Sequence, residues 1–165
     1  MQKQVYLADP HFGHGDKIML FRPQFSSGEE HDEYVVHGIN EVANPNDTLV
    51  LLGDVLVKES GIKWIEKIRC KNIILIPGNH DGERCAIPHH LFRTVIGSKK
   101  IIINEQVGVC THIPIHPLSL DRWSFNVHGH LHDKKINDPR YVCVSCEQTN
   151  YKPVTKEWIL SKLIK

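Results

Sequence analysis

The residues of this chain that could do chemistry fall in five short blocks: Asp9-Pro10-His11, Gly53-Asp54, Gly78-Asn79-His80-Asp81, Thr111-His112 and Gly129-His130-Leu131-His132. Carboxylate, amide oxygen and imidazole without thiolate is the donor mix of hard-to-borderline divalent cations. Asp9, His11, Asp54, Asn79, His112, His130 and His132 make seven candidate ligands. That is too many for one tetrahedral zinc, and it suits two five- or six-coordinate metals that share a carboxylate and keep positions open for water. His80 adjoins a ligand without being needed as one, so its imidazole is free to protonate or stabilise a leaving oxygen.

Each block follows an apolar run, at 5–8, 48–52, 73–76, 106–110 and 125–127. The run Ile73-Ile74-Leu75-Ile76 is apolar on both faces and too short for a helix, which predicts a strand buried on both sides and ended by Pro77-Gly78. Ligands at the carboxyl ends of strands are the usual arrangement in open α/β sheets. Between these strands the spacing predicts helices. Residues 16–20 suggest a short one, and Ser27 with Glu30 makes a capping-box start for another that runs to about Ala43, with Tyr34, Val35, Ile39 and Val42 on one face. Ser60 is the expected cap of a third, with Ile62, Ile65 and Ile68 inward. Strand, helix, strand, helix, strand predicts parallel strands with helical crossovers in the first half. The second half reads as short strands, with a hairpin turn at Asn104-Glu105 and a strand over 141–145. A last helix, opened by Pro153 and Thr155, is expected to turn Trp158, Ile159, Leu163 and Ile164 to the core. Segments 82–90 and 114–124 are polar or proline-bearing and are expected to be the most flexible, beside the site.

At 165 residues, 41% hydrophobic and 24% charged, the chain has the size and balance of one globular domain spanning 1–165. A net charge of +1 argues against a strongly electrostatic, nonspecific nucleic-acid surface, though not against a nucleotide substrate. No apolar segment has the length of a membrane span, and the N-terminus enters a strand without a signal peptide's apolar core, so a cytoplasmic protein is expected. The five cysteines are scattered. Cys143 and Cys146 have C-x-x-C spacing, but with no second pair the reading is buried strand cysteines rather than a zinc knuckle or redox site.

Asp-x-His, Gly-Asp, Gly-Asn-His-Asp, a lone His after a strand and Gly-His-x-His, in that order from Asp9 to His132, resemble the calcineurin-like metallophosphoesterase family. Any one block is a weak signal, whereas the ordered set is specific. Within the family the chain is similar to the small phosphoesterases without an added domain. The resemblance implies an α/β fold, a two-sheet β-sandwich flanked by helices, with metals at the strand ends. It implies that Asp9, His11 and His132 hold one metal, that Asn79, His112 and His130 hold the other, and that Asp54 bridges them. It further implies a metal-bridging hydroxide as nucleophile, His80 as the catalytic imidazole and general acid, and Asp81 as the residue that orients it. Manganese is the first expectation for the two divalent ions, with iron, zinc, nickel and magnesium compatible with the same donors.

The implied reaction is hydrolysis of a small phosphate ester, and similarity to small diesterases favours a phosphodiester of nucleotide type or a nucleic-acid end. The alternatives are a phosphomonoesterase with the same site, a binding scaffold that keeps the fold without the chemistry, and a mononuclear zinc amide hydrolase. Arg22, whose planar fork matches phosphate oxygens, and His14 are candidate substrate contacts, with a helix-surface cation the equal alternative for Arg22. The chain departs from the family in Pro10, where Thr is common, and in Val55-Leu56-Val57, which lacks the charged residue some members place there. It also adds a third imidazole, His128, for which a supporting or structural role is expected. A homodimer is expected if Trp158 on the last helix is not buried.

Overall fold

A computed structural model describes residues 2–163; Ile164, expected on the last helix, lies outside them. In chain order the elements are β1 (Gln4–Leu7), α1 (Gly28–Val42), β2 (Thr48–Leu51), α2 (Ile62–Glu66), β3 (Ile73–Leu75), β4 (Thr94–Val95), β5 (Lys99–Ile103), β6 (Gln106–Cys110), β7 (Phe125–His128), β8 (Tyr141–Cys143), α3 (Cys146–Thr149), β9 (Val154–Thr155) and α4 (Lys156–Leu163). They form a five-stranded sheet of order β4-β3-β2-β1-β9 and a four-stranded sheet of order β5-β6-β7-β8. Strands β1 to β4 run parallel, as do β6, β7 and β8, while β9 and β5 are antiparallel edges.

The two-residue period of a strand sorts the first sheet's side chains between two cores. Val5, Leu7, Leu49, Leu51, Ile73 and Leu75 face one way, onto Val35, Val36 and Ile39 of α1 and Trp64 and Ile65 of α2. Tyr6, Ala8, Val50, Leu52 and Ile76 face the other way, onto Ile101, Ile103, Cys110, Phe125, Val127 and Val142 of the second sheet. The continuous apolar runs are therefore strands covered on both faces, the two-sheet sandwich with flanking helices. Ile159 of α4 joins the inter-sheet core. Among the described residues no helix is long and apolar enough to cross a membrane.

Local chemistry accounts for most boundaries. The Ser27 side chain accepts from the Glu30 amide at 3.1 Å and caps α1, while the Glu30 carboxylate reaches back to the Ser26 amide at 2.7 Å. Asn104 and Glu105 both take positive φ, 46° and 66°, the backbone a tight hairpin requires between β5 and β6. Three expectations are corrected. Ser60 caps nothing: the chain enters α2 through a 3₁₀ turn at Glu59–Gly61, without a side-chain cap. Pro153 does not open α4, because Val154 and Thr155 first form the edge strand β9; Thr155 does open it, its Oγ1 accepting from the Trp158 amide at 3.4 Å. Cys146 heads α3 instead of continuing the strand of Cys143. Trp158 is half-buried against the inter-sheet core.

Candidate metal centre

Because β1, β2 and β3 are parallel, and β6 and β7 likewise, their carboxyl ends lie together at one end of the sandwich. Asp9, His11, Asp54, His130 and His132 there adopt φ of 59°, 54°, 50°, 69° and 54°. This left-handed region costs a residue with a Cβ about 1 kcal/mol or more, so its recurrence at five candidate ligands marks backbone held for function. Glycine makes room for the turns. Gly53 sits at φ 80°, and a Cβ there would overlap the His112 ring, while one on Gly78 would overlap the Asp54 carboxylate and amide.

Among the described residues three groups of donors lie close enough to share an ion: Asp9, His11 and His132; His11, Asp54 and His80; and Asp54, His112 and His130. His11 links the first group to the second and Asp54 the second to the third, with Asp54 Oδ2 3.4 Å from His112 Nε2, 3.9 Å from His11 Nε2 and 4.0 Å from His80 Nε2. His112 Nδ1 donates to the Leu52 carbonyl at 2.8 Å, which turns Nε2 toward Asp54 and toward Asn79 Oδ1 at 3.1 Å. Buried atoms without a hydrogen-bond partner include Asp9 Oδ1 and both ring nitrogens of His11. Orphaned polar atoms cost free energy when buried, and a divalent cation is a partner of the right chemistry for the carboxylate oxygen and for the ring nitrogen that carries no proton. The donor set thus fits metal ions.

The electrostatics agree with that fit. Burial pushes the Asp9 carboxyl up to about 6, a cost that a dication against it offsets. Burial also opposes the charge of Asp54, but the His112 contact and the His80 amide, 2.8 Å from Oδ1, outweigh it and hold the carboxyl at about 2. At His11 burial dominates and keeps the imidazole well below its ordinary value, neutral and able to bind metal.

A supporting layer behind these donors was not legible in the sequence. Ser145 Oγ donates to Asp9 Oδ2 at 2.5 Å, and the His130 amide donates to the same oxygen at 2.9 Å. Glu147 Oε1 accepts from His132 Nδ1 at 3.0 Å and from Arg22 Nε at 2.8 Å. Arg22 is neither a surface cation nor a free phosphate clamp: it is 1% exposed, and Nη2 donates to the Asp9 carbonyl at 2.7 Å. Its Nη1 meets His31 Nε2 at 2.6 Å, and His31 Nδ1 in turn meets Asp32 Oδ1 at 2.9 Å. Asp81 is also displaced from its expected part. Its carboxylate accepts from the amides of Val55, Leu56 and Gly78 at 2.8 to 2.9 Å and ties the Asp54 loop to the Gly78 turn. Glu83 instead meets the His80 ring, Oε2 to Nδ1 at 2.9 Å.

A cavity of about 670 Å³ opens on this cluster, lined by His11, His80, His130 and His132 and continuing past His14, Phe21 and Lys134. His14 is half-buried there, its ring 6.1 Å from that of His11. His128 is buried behind the centre, with Nδ1 against its neighbour Gly129's carbonyl at 2.8 Å and burial holding its pKa at about 4.

A two-sheet sandwich with acid, amide and imidazole donors collected at its strand ends defines a metallophosphoesterase architecture. The chain belongs to the calcineurin-like phosphoesterase family, whose model matches residues 5–161, and it is a phosphoester hydrolase with clusters able to hold metal ions. Among solved structures it is similar to AQ665 of Aquifex aeolicus, described as a protein of unknown function: TM-score 0.77, 20% identity, 98% of this chain and 99% of that one covered. At that identity the likeness concerns the fold. Weaker likenesses are to a novel archaeal phosphodiesterase, at TM-score 0.49 and 21% identity over 90% of this chain and 87% of that one, and to the Pseudomonas putida nuclease MPE, at 0.41 and 19% over 78% and 60%. No curated protein matches the chain.

Proposed function

We propose that the protein is a binuclear-metal phosphodiesterase acting on nucleotide-type diesters, with Asp54 the carboxylate that both metals would share. What carries this reading is Asp54 Oδ2, which faces imidazole Nε2 atoms of both donor groups at 3.4 and 3.9 Å. Asp9, His11 and His132 would hold one cation, and Asn79, His112 and His130 the other. Oxygen and imidazole donors suit manganese. Bound there, two dications supply Lewis acidity toward the phosphoryl oxygens and a water activated at neutral pH.

The chain's own residues do the rest. His80 stands at the mouth of the cluster with Nε2 toward Asp54 and serves as general acid, giving a proton from that atom to the leaving oxygen. Glu83 accepts from Nδ1 and orients the ring, so that the imidazolium, protonated on both nitrogens, presents its Nε2 proton to the leaving oxygen. Asp81 keeps the two loops in register through backbone amides, and Arg22 stiffens the Asp9 turn from behind while His14 lines the substrate's approach. A diester is favoured over a monoester because the cavity runs well past the donors, leaving room for a second ester substituent.

The test is hydrolysis of bis(p-nitrophenyl) phosphate and p-nitrophenyl phosphate by metal-stripped protein reloaded with manganese. Diester cleavage that depends on manganese and falls at least about 10³-fold in Asp54→Asn is expected. Cleavage of the monoester alone would make it a phosphatase. A fully active Asp54→Asn protein would sink the mechanism.

A further inference from the structure

We propose that Phe21 forms a stacking subsite for the nucleobase of the substrate. The inference rests on the phosphodiesterase reading of the metal centre and names what recognises the organic part of the ester. Phe21 is 72% exposed and its neighbour Leu20 79% exposed, an uncommon setting for two large apolar side chains side by side. Phe21 lines the cavity that holds His11 and His132. Its ring stands edge-on to His14 at 6.2 Å, and His14 stands edge-on to His11 at 6.1 Å, so two ring contacts lead from the aromatic wall to the metal donors. Ile18 and Leu131 extend the apolar lining, and Lys134 adds a cation.

The platform is anchored where it meets the backbone. The amides of Phe21 and Arg22 both donate to the Ile18 carbonyl, at 2.9 and 2.8 Å, and the buried Arg22 guanidinium grips the Asp9 carbonyl. With the backbone anchored, only the ring's own rotamers remain to be ordered when a ligand stacks on it. Every nucleobase has a π-face, and stacking on an aromatic side chain is tolerant of base identity. A phosphate seated at the metals would place an attached base along this wall, so the predicted ligand is a nucleotide or nucleotide ester without strong base preference.

The experiment is equilibrium binding of adenosine 5′-monophosphate and of inorganic phosphate to the manganese-loaded protein, followed by calorimetry in the native chain, Phe21→Ala and Phe21→Trp. The native chain is expected to bind the nucleotide about tenfold or more tighter than phosphate. Phe21→Ala should erase that preference, with phosphate affinity changed less than twofold, and Phe21→Trp should keep it. No preference in the native chain, or one retained in Phe21→Ala, overturns the subsite. So does a change of sedimentation behaviour in Phe21→Ala with nucleotide binding intact, which would make the patch a contact between copies. Turnover separates the two readings: Phe21-dependent nucleotide binding without hydrolysis of either ester would leave the subsite standing and remove the enzyme mechanism.

Discussion

Glu147 illustrates how one residue acts through others. It takes His132 Nδ1 and Arg22 Nε on a single oxygen, and although burial opposes its charge, those two partners hold its carboxyl down at about 2. A carboxylate on the far nitrogen of a ligating histidine fixes the tautomer, so that Nε2 carries the lone pair toward the ion. Glu147→Gln is therefore expected to weaken manganese binding by about 10- to 100-fold, read by calorimetry on the stripped protein. Unchanged affinity would reduce Glu147 to a partner of Arg22 alone.

At the scale of elements, caps and turns decide where the site's loops begin. Helix α1 carries His31 and Asp32, whose carboxylate accepts from the Gly13 amide at 3.0 Å, so the helix braces the loop after Asp9 and His11. Ser27 starts that helix through its bond to the Glu30 amide. Ser27→Ala should lower stability by about 1 kcal/mol in urea unfolding without changing the slope of the transition. Turnover at saturating manganese should stay within twofold, because the cap lies outside the cavity.

For the whole molecule, acid sensitivity comes from carboxylates that folding keeps charged, Asp54 and Glu147, and from buried imidazoles that it keeps neutral, of which His31 is an example. Arg22 can only donate, so His31 Nε2 accepts from it and Nδ1–H donates to Asp32. Burial keeps the His31 pKa below its ordinary 6.5, with the Asp32 bond opposing it. The unfolded chain takes up that proton more readily, so this contribution is present in full above pH 6.5 and is lost as pH falls toward the folded value. As pH falls below 6.5 His31 should therefore cost stability, and urea midpoints in His31→Gln should depend less on pH on that acid side than those of the native chain.

The sequence by itself determined the donor blocks, the apolar runs before them, the cap of α1 and the Asn104-Glu105 hairpin, because each depends on neighbours within a few residues. Period and side-chain chemistry are local properties, and they are legible one segment at a time. Tertiary structure decided what joins distant segments: Arg22 with Glu147, 125 positions apart, and Ser145 with Asp9, 136 apart. No spacing rule relates such pairs, since their meeting depends on where parallel strands end and on which side chains burial compels to find a partner. The same reason moved Asp81 from the His80 ring to three backbone amides and gave that ring to Glu83. A carboxylate's type is written in the chain, and the partner it neutralises is settled only by packing.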